Sequence, residues 1–173
     1  AGTEGLAVIE ERCAAQGLWA RRVAIDYASH SPQVESVRDE LRAAFGTVRP
    51  VAARIPFHST VTGGSLGTTA LDAGYWFDNL RSPVRFDEVV RGLIAAGHTT
   101  FVEVGPHPVL AAALQDRVDA AGGLVTGTLR RDHDGWAQLQ RSVAELWVRG
   151  AGVDWPVLVP PGPAAALPTY RFQ

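Results

Sequence analysis

The 173-residue chain contains no lysine, no methionine and a single cysteine. A lone Cys13 excludes an internal disulfide and a cysteine-based metal site. It falls in helical register with Leu6 and Ile9, which reads as a buried, inert thiol. No apolar run approaches the ~18 residues needed to cross a bilayer, and no charged-then-apolar leader opens the chain, so a cytoplasmic location is expected. All sixteen basic residues are arginine; they are scattered, and the net charge is −2. That distribution argues against a nucleic-acid or anionic-membrane surface. His58, His98 and His133 have no partner at metal-ligand spacing, so no metal is expected. Without a methionine at position 1, the polypeptide is expected to be a processed chain or part of a longer one. Its length suits one substantial core, burying roughly 70 % of the unfolded surface, with an appendage.

Helix and strand signals alternate along the sequence. Thr3 can cap a helix over residues 4–16, with Gly17 as its stop. Residues 18–25 read as a strand. Ser31 and Pro32 then give a cap-then-proline start to a helix whose Val34, Val37, Leu41 and Phe45 share one stripe, ending at Gly46. Residues 55–62 read as a strand, and the Gly- and Thr-rich stretch 62–72 as a loop. Ser82-Pro83 repeats the start signal before Phe86, Val89, Val90, Leu93 and Ile94, closed by Gly97. A buried strand at 99–104, a helix carried by Leu110, Leu114 and Val118, and a strand at 123–129 complete an α/β pattern that favours parallel pairing. Beyond Arg130-Arg131 come one amphipathic helix (Trp136, Leu139, Val143, Leu146, Trp147), a stop at Gly150 and a Pro- and Ala-rich tail.

Chemistry concentrates at Tyr27-Ala28-Ser29-His30, between an apolar run and a helix start, where a histidine is often presented as a base. Together with Asn79-Leu80-Arg81-Ser82-Pro83-Val84-Arg85-Phe86, Glu103-Val104-Gly105-Pro106-His107-Pro108-Val109-Leu110 and the closing Leu167-Pro168-Thr169-Tyr170, this tetrapeptide closely resembles the acyltransferase domain of modular type I polyketide synthases. The resemblance covers essentially the whole chain. It implies the C-terminal part of an α/β-hydrolase-like core: residues 1–25 would end a ferredoxin-like small subdomain, 26–129 would belong to the large subdomain, and 130–173 would form the post-acyltransferase linker.

The resemblance also implies roles. His30 would be the catalytic base, oriented by a backbone carbonyl at Asn79, while Tyr27, Ala28 and Ser29 would contact substrate. The family's nucleophilic serine lies in a Gly-His-Ser-x-Gly motif upstream of this histidine, and no such motif occurs here. No cofactor is expected on this chain; acyl-CoA is the substrate, and phosphopantetheine arrives on the acyl carrier protein. Implied partners are the serine-bearing N-terminal part of the acyltransferase, the ketosynthase domain, the carrier protein and methylmalonyl-CoA, with no nucleic acid and no membrane. A small Ser29 resembles the form associated with methylmalonyl units, since malonyl-specific relatives carry phenylalanine there.

Other readings stay open. The chain could be a non-catalytic fragment or scaffold that packs against ketosynthase and carrier protein. Gly63-Gly64-Ser65-Leu66-Gly67 satisfies Gly-x-Ser-x-Gly, yet a nucleophile elbow needs a strand before the serine and a helix beginning at it, and Gly67-Thr68-Thr69 makes a poor helix. His107, between two prolines after a strand, is the other tempting base, but the resemblance implies that this position lies in a strand-to-helix turn and is not the catalytic histidine; Asp26 reads as a capping or solvent-facing residue rather than a triad acid.

Overall fold

A computed structural model describes residues 3–20, 22, 23, 25, 27–159 and 162–163. The closing Leu167-Pro168-Thr169-Tyr170 motif and Asp26 lie outside the described residues. The chain forms two compact units, residues 1–92 and 93–173.

In the first unit, α1 (Thr3–Ala15) ends where Gly17 enters the left-handed region at φ +66° and Leu18 N–H reaches back to the Cys13 carbonyl. The strand expected over 18–25 is not formed among the described residues. Its Ile25 N–H bonds the Val23 carbonyl at 2.9 Å, a local turn that replaces a ladder. A strand needs a hydrogen-bonding neighbour, and Leu18, Trp19, Val23 and Ile25 all stay exposed.

Ser31 caps the next helical segment, its Oγ accepting from Gln33 N–H at 3.2 Å. That segment opens as a 3-10 turn, Pro32–Val37, which passes into α2 (Arg38–Ala44). Val34 is its buried anchor. The expected strand at 55–62 is shorter, β1 (Phe57–Ser59), and pairs antiparallel with β2 (Gly64–Leu66) inside the stretch expected to be a loop. Gly63 turns this hairpin at φ +79°, where a side chain would collide with the Arg85 guanidinium. Ser59, buried, ties the hairpin to the next helix: its Oγ meets Tyr75 Oη at 2.9 Å and accepts from Val61 N–H at 3.1 Å. That helix, α3 (Ala73–Arg81), starts at Asp72, whose carboxylate accepts from Tyr75 N–H, and buries Phe77 completely. Ser82 leaves α3 in an extended conformation before Pro83, and α4 (Phe86–Ala95) buries Val89 and Val90.

In the second unit, β3 (Thr100–Glu103) pairs in parallel with β4 (Leu124–Gly127), the two joined through α5 (Ala111–Ala120). The chain is therefore α/β with parallel pairing, as the alternation of its signals implies. Leu114, Val118, Leu124 and Val125 form the core. β3 is less enclosed than expected, since Val102 is exposed while β4 is buried along Leu124–Thr126. α6 (Gly135–Val148), capped by Asp134, packs on β4 through Ser142 Oγ donating to the Gly127 carbonyl at 2.6 Å and Thr126 Oγ1 donating to Glu145 at 2.8 Å. Gly150 ends it at φ +90°, and a short α7 (Trp155–Leu158) brings Trp155 edge-on to Trp147.

Candidate active site

His30 adopts φ +59°, a left-handed conformation that is uncommon for a non-glycine residue and found disproportionately at functional turns. Ser31 Oγ closes the turn by donating to the Ala28 carbonyl at 2.7 Å. The C-terminal end of α3 then holds the histidine twice: its N–H donates to the Leu80 carbonyl at 2.7 Å, and its Nδ1 lies 2.8 Å from the Ser82 carbonyl. These are carbonyls that a helix end leaves without intrahelical donors. Because a carbonyl can only accept, the contact places the proton on Nδ1 of the neutral ring. That tautomer leaves the Nε2 lone pair as an acceptor.

The orienting carbonyl thus lies on the expected segment but belongs to Ser82, which corrects the assignment to Asn79. Asn79 is inside α3, where carbonyls run along the helix axis, whereas the extended ψ of 155° at Ser82 turns its carbonyl away from that axis. Pro83 contributes no N–H to compete for either oxygen.

Tyr27, Ala28, Ser29 and His30 line one cavity of about 590 Å³, with Leu6, Ile9 and Glu10 of α1 on another wall. Arg22 also lines it, but its guanidinium is paired with Glu10 at 2.6 Å and 3.2 Å, so that cation is already neutralised. Four of the sequence-predicted residues therefore share one space, and Asn79 is not among its described lining.

Ser65 stands at the centre of the three-residue β2, opposite His58, and only a 3-10 turn, Thr68–Ala70, follows. No strand-to-helix elbow is present there. His107 receives Arg131 N–H on Nδ1 at 3.3 Å. Its neighbour Glu103 caps α5, accepting from Val109, Leu110 and Ala111 N–H at 2.8, 2.9 and 3.0 Å. Burial pushes the Glu103 carboxyl up, but these three N–H groups and the nearby His107 outweigh it and hold it below the ordinary carboxylate value. Both residues read as builders of the strand-to-helix turn. Among the described residues no group of three or more His, Cys, Asp or Glu side chains is placed to hold a metal ion, and no helix is long and apolar enough to cross a membrane.

Residues 2–153 match the family described as acyl transferase domain. The chain belongs to that family. Its relatives place this acyltransferase chain among the modular polyketide synthases. It is 51% identical over 166 residues to polyketide synthase GfsB of Streptomyces halstedii, covering 94% of the chain and 3% of that protein. It is 44% identical over 172 residues to erythronolide synthase EryA2 of Saccharopolyspora erythraea, covering 97% and 5%. The crystal structure of the acyltransferase domain from module 8 of the salinomycin polyketide synthase superposes with a TM-score of 0.84 at 46% identity, covering 88% of this acyltransferase chain and 37% of that one. The chain thus spans a small part of these curated relatives and over a third of that solved domain chain.

Proposed function

We propose that this chain supplies the general base of an acyl transfer that loads an extender unit from CoA onto an acyl carrier protein. The observation that carries the reading is the Nδ1 contact of His30 with the Ser82 carbonyl, which fixes the ring so that Nε2 is the free base at the wall of the cavity. In the first half-reaction, a serine from outside these residues attacks the thioester carbonyl while His30 Nε2 accepts the hydroxyl proton. Backbone N–H groups stabilise the tetrahedral oxyanion. Collapse expels the CoA thiolate, which takes that proton and leaves an acyl-serine ester. In the second half, the carrier's phosphopantetheine thiol loses its proton to His30 and attacks the ester, and the proton returns to the serine oxygen.

A methylmalonyl unit is the proposed substrate. Ser29 lines the cavity beside His30, and its small side chain leaves room for an α-methyl group. Under the same reading, residues 1–25 close a ferredoxin-like small subdomain, 26–129 belong to the large subdomain and 130–173 form a linker toward the ketosynthase. The test is loading of carrier protein by the full protein, read by intact mass with methylmalonyl-CoA and malonyl-CoA in separate reactions. An acyl-carrier adduct that forms faster with methylmalonyl-CoA supports the reading. No adduct with either thioester refutes it and leaves the non-catalytic scaffold.

A further inference from the structure

We propose that Glu35 and Arg81 form a positioning clamp that sets the ring of His30 by holding the end of α3 against the turn C-terminal to the histidine. The inference rests on the reading of His30 as the base. Leu80, Arg81 and Ser82 are consecutive, and each grips the same neighbourhood. Leu80 and Ser82 hold His30 through their carbonyls, and Arg81 between them donates its Nε to Glu35 Oε1 at 2.7 Å. Glu35 lies on the 3-10 turn Pro32–Val37, directly after the His30 turn.

The second oxygen of this carboxylate is also occupied. Arg38 at the start of α2 donates Nε and Nη2 to Glu35 Oε2 at 2.9 and 2.6 Å. The Arg38 guanidinium carbon in turn lies 4.0 Å over the ring of Phe77, the fully buried aromatic of α3. One carboxylate therefore joins the end of α3, the start of α2 and, through Arg38, the interior of α3. Hydrogen bonds from Arg38 and then Arg81 hold the Glu35 carboxyl below its ordinary range, so it stays anionic at neutral pH.

Position is what this network contributes. Its side chains are partly solvated, at 32% exposure for Arg81 and 41% for Glu35, and such pairs add little to overall stability. A histidine in a left-handed turn, by contrast, keeps its geometry only when its surroundings over-determine it. Without the clamp, the end of α3 can shift relative to residues 30–37, and the Ser82 carbonyl leaves Nδ1.

The experiment uses the full protein carrying ¹⁵N-labelled histidine, with the His30 signals identified by their loss in His30→Asn. Glu35→Gln and Arg81→Gln should bring the two ring-nitrogen shifts of His30 toward each other, as the tautomers begin to mix. They should lower kcat for acyl transfer by about 10- to 100-fold, with the acyl-CoA KM held within about 2-fold. Arg81→Lys, which keeps the cation, should recover part of both effects. Glu88→Gln breaks a comparably exposed pair with Arg85 and should leave the His30 signals in place. Unmoved His30 shifts in both Glu35→Gln and Arg81→Gln overturn the clamp. Shifts that move while kcat stays constant support the clamp and refute His30 as the base.

Discussion

The left-handed turn at His30 makes a stability prediction that separates backbone strain from chemistry. His30→Ala and His30→Gly both delete the imidazole and its contact with Ser82, and both keep the N–H that donates to the Leu80 carbonyl. Comparing the two variants with each other cancels the lost side-chain bond. What remains is the Cβ at φ +59°. A residue with a Cβ loses about 1–2 kcal/mol in the left-handed region. Glycine's freer unfolded chain offsets about 0.4–1 kcal/mol of that. His30→Gly should therefore be more stable than His30→Ala by about 1 kcal/mol, or about 2–4 °C in Tm for a protein of this size. Urea titrations followed by tryptophan fluorescence, with five tryptophans to report, measure the difference through the midpoint at constant slope. An alanine variant equal to or more stable than the glycine variant would refute the left-handed turn and, with it, the argument that the histidine is held under strain for a purpose.

Ser29→Phe should move the methylmalonyl-to-malonyl loading ratio toward malonyl by about 10- to 200-fold, the discrimination one methyl-sized difference can supply; competition between the two thioesters measures it, and an unchanged ratio sinks the pocket argument. Gly123→Ala would press a Cβ against the Thr99 carbonyl oxygen and within 2.7 Å of Val118 Cγ1, so it should cost about 1–3 kcal/mol in a denaturant melt. Gly92→Ala in α4, where a Cβ meets nothing, should instead add about 0.5–1 kcal/mol. Because the folded carboxyl of Glu103 is depressed, its stabilisation is present above the ordinary carboxyl value of 4.5 and is lost as pH falls through the lower folded value. Glu103→Gln should be less stable than wild type at pH 7, and the two melting temperatures should converge as pH falls through the depressed folded value.

Local pattern determined what could be read in advance. α4 and α6 carry apolar stripes of helical period with a glycine after each, and β3 and β4 are short strands with β-branched residues on either side of α5, so in the second unit β4 packs with the helices next to it in sequence, α5 and α6. Among the described residues of 18–25 no strand pairing forms, and pairing is a long-range property that periodicity does not report. α3 escaped notice because Gly74 and the run Tyr75-Trp76-Phe77 weaken the helical pattern; the readable signal was Asp72 as a cap, with its bond to Tyr75 N–H. Residues 27–30 stand out in the sequence through family resemblance, and all four line one cavity. Pro83 forces the extended exit of Ser82, a signal the sequence carries, but which of the carbonyls along 79–82 reaches the His30 ring depends on a tertiary approach across fifty-two positions. The Glu35–Arg81 pair spans forty-six positions and leaves no trace in local spacing.

The central claim is that His30 moves the proton, and the rate of acyl transfer from methylmalonyl-CoA to carrier protein by the full protein, wild type against His30→Asn, tests it most directly. Asparagine tolerates the left-handed region, so the turn should survive the substitution. The account predicts a fall of about 10²- to 10⁴-fold in the transfer rate with an unchanged circular dichroism spectrum. A rate within about threefold of wild type, far short of what loss of a general base costs, would contradict it.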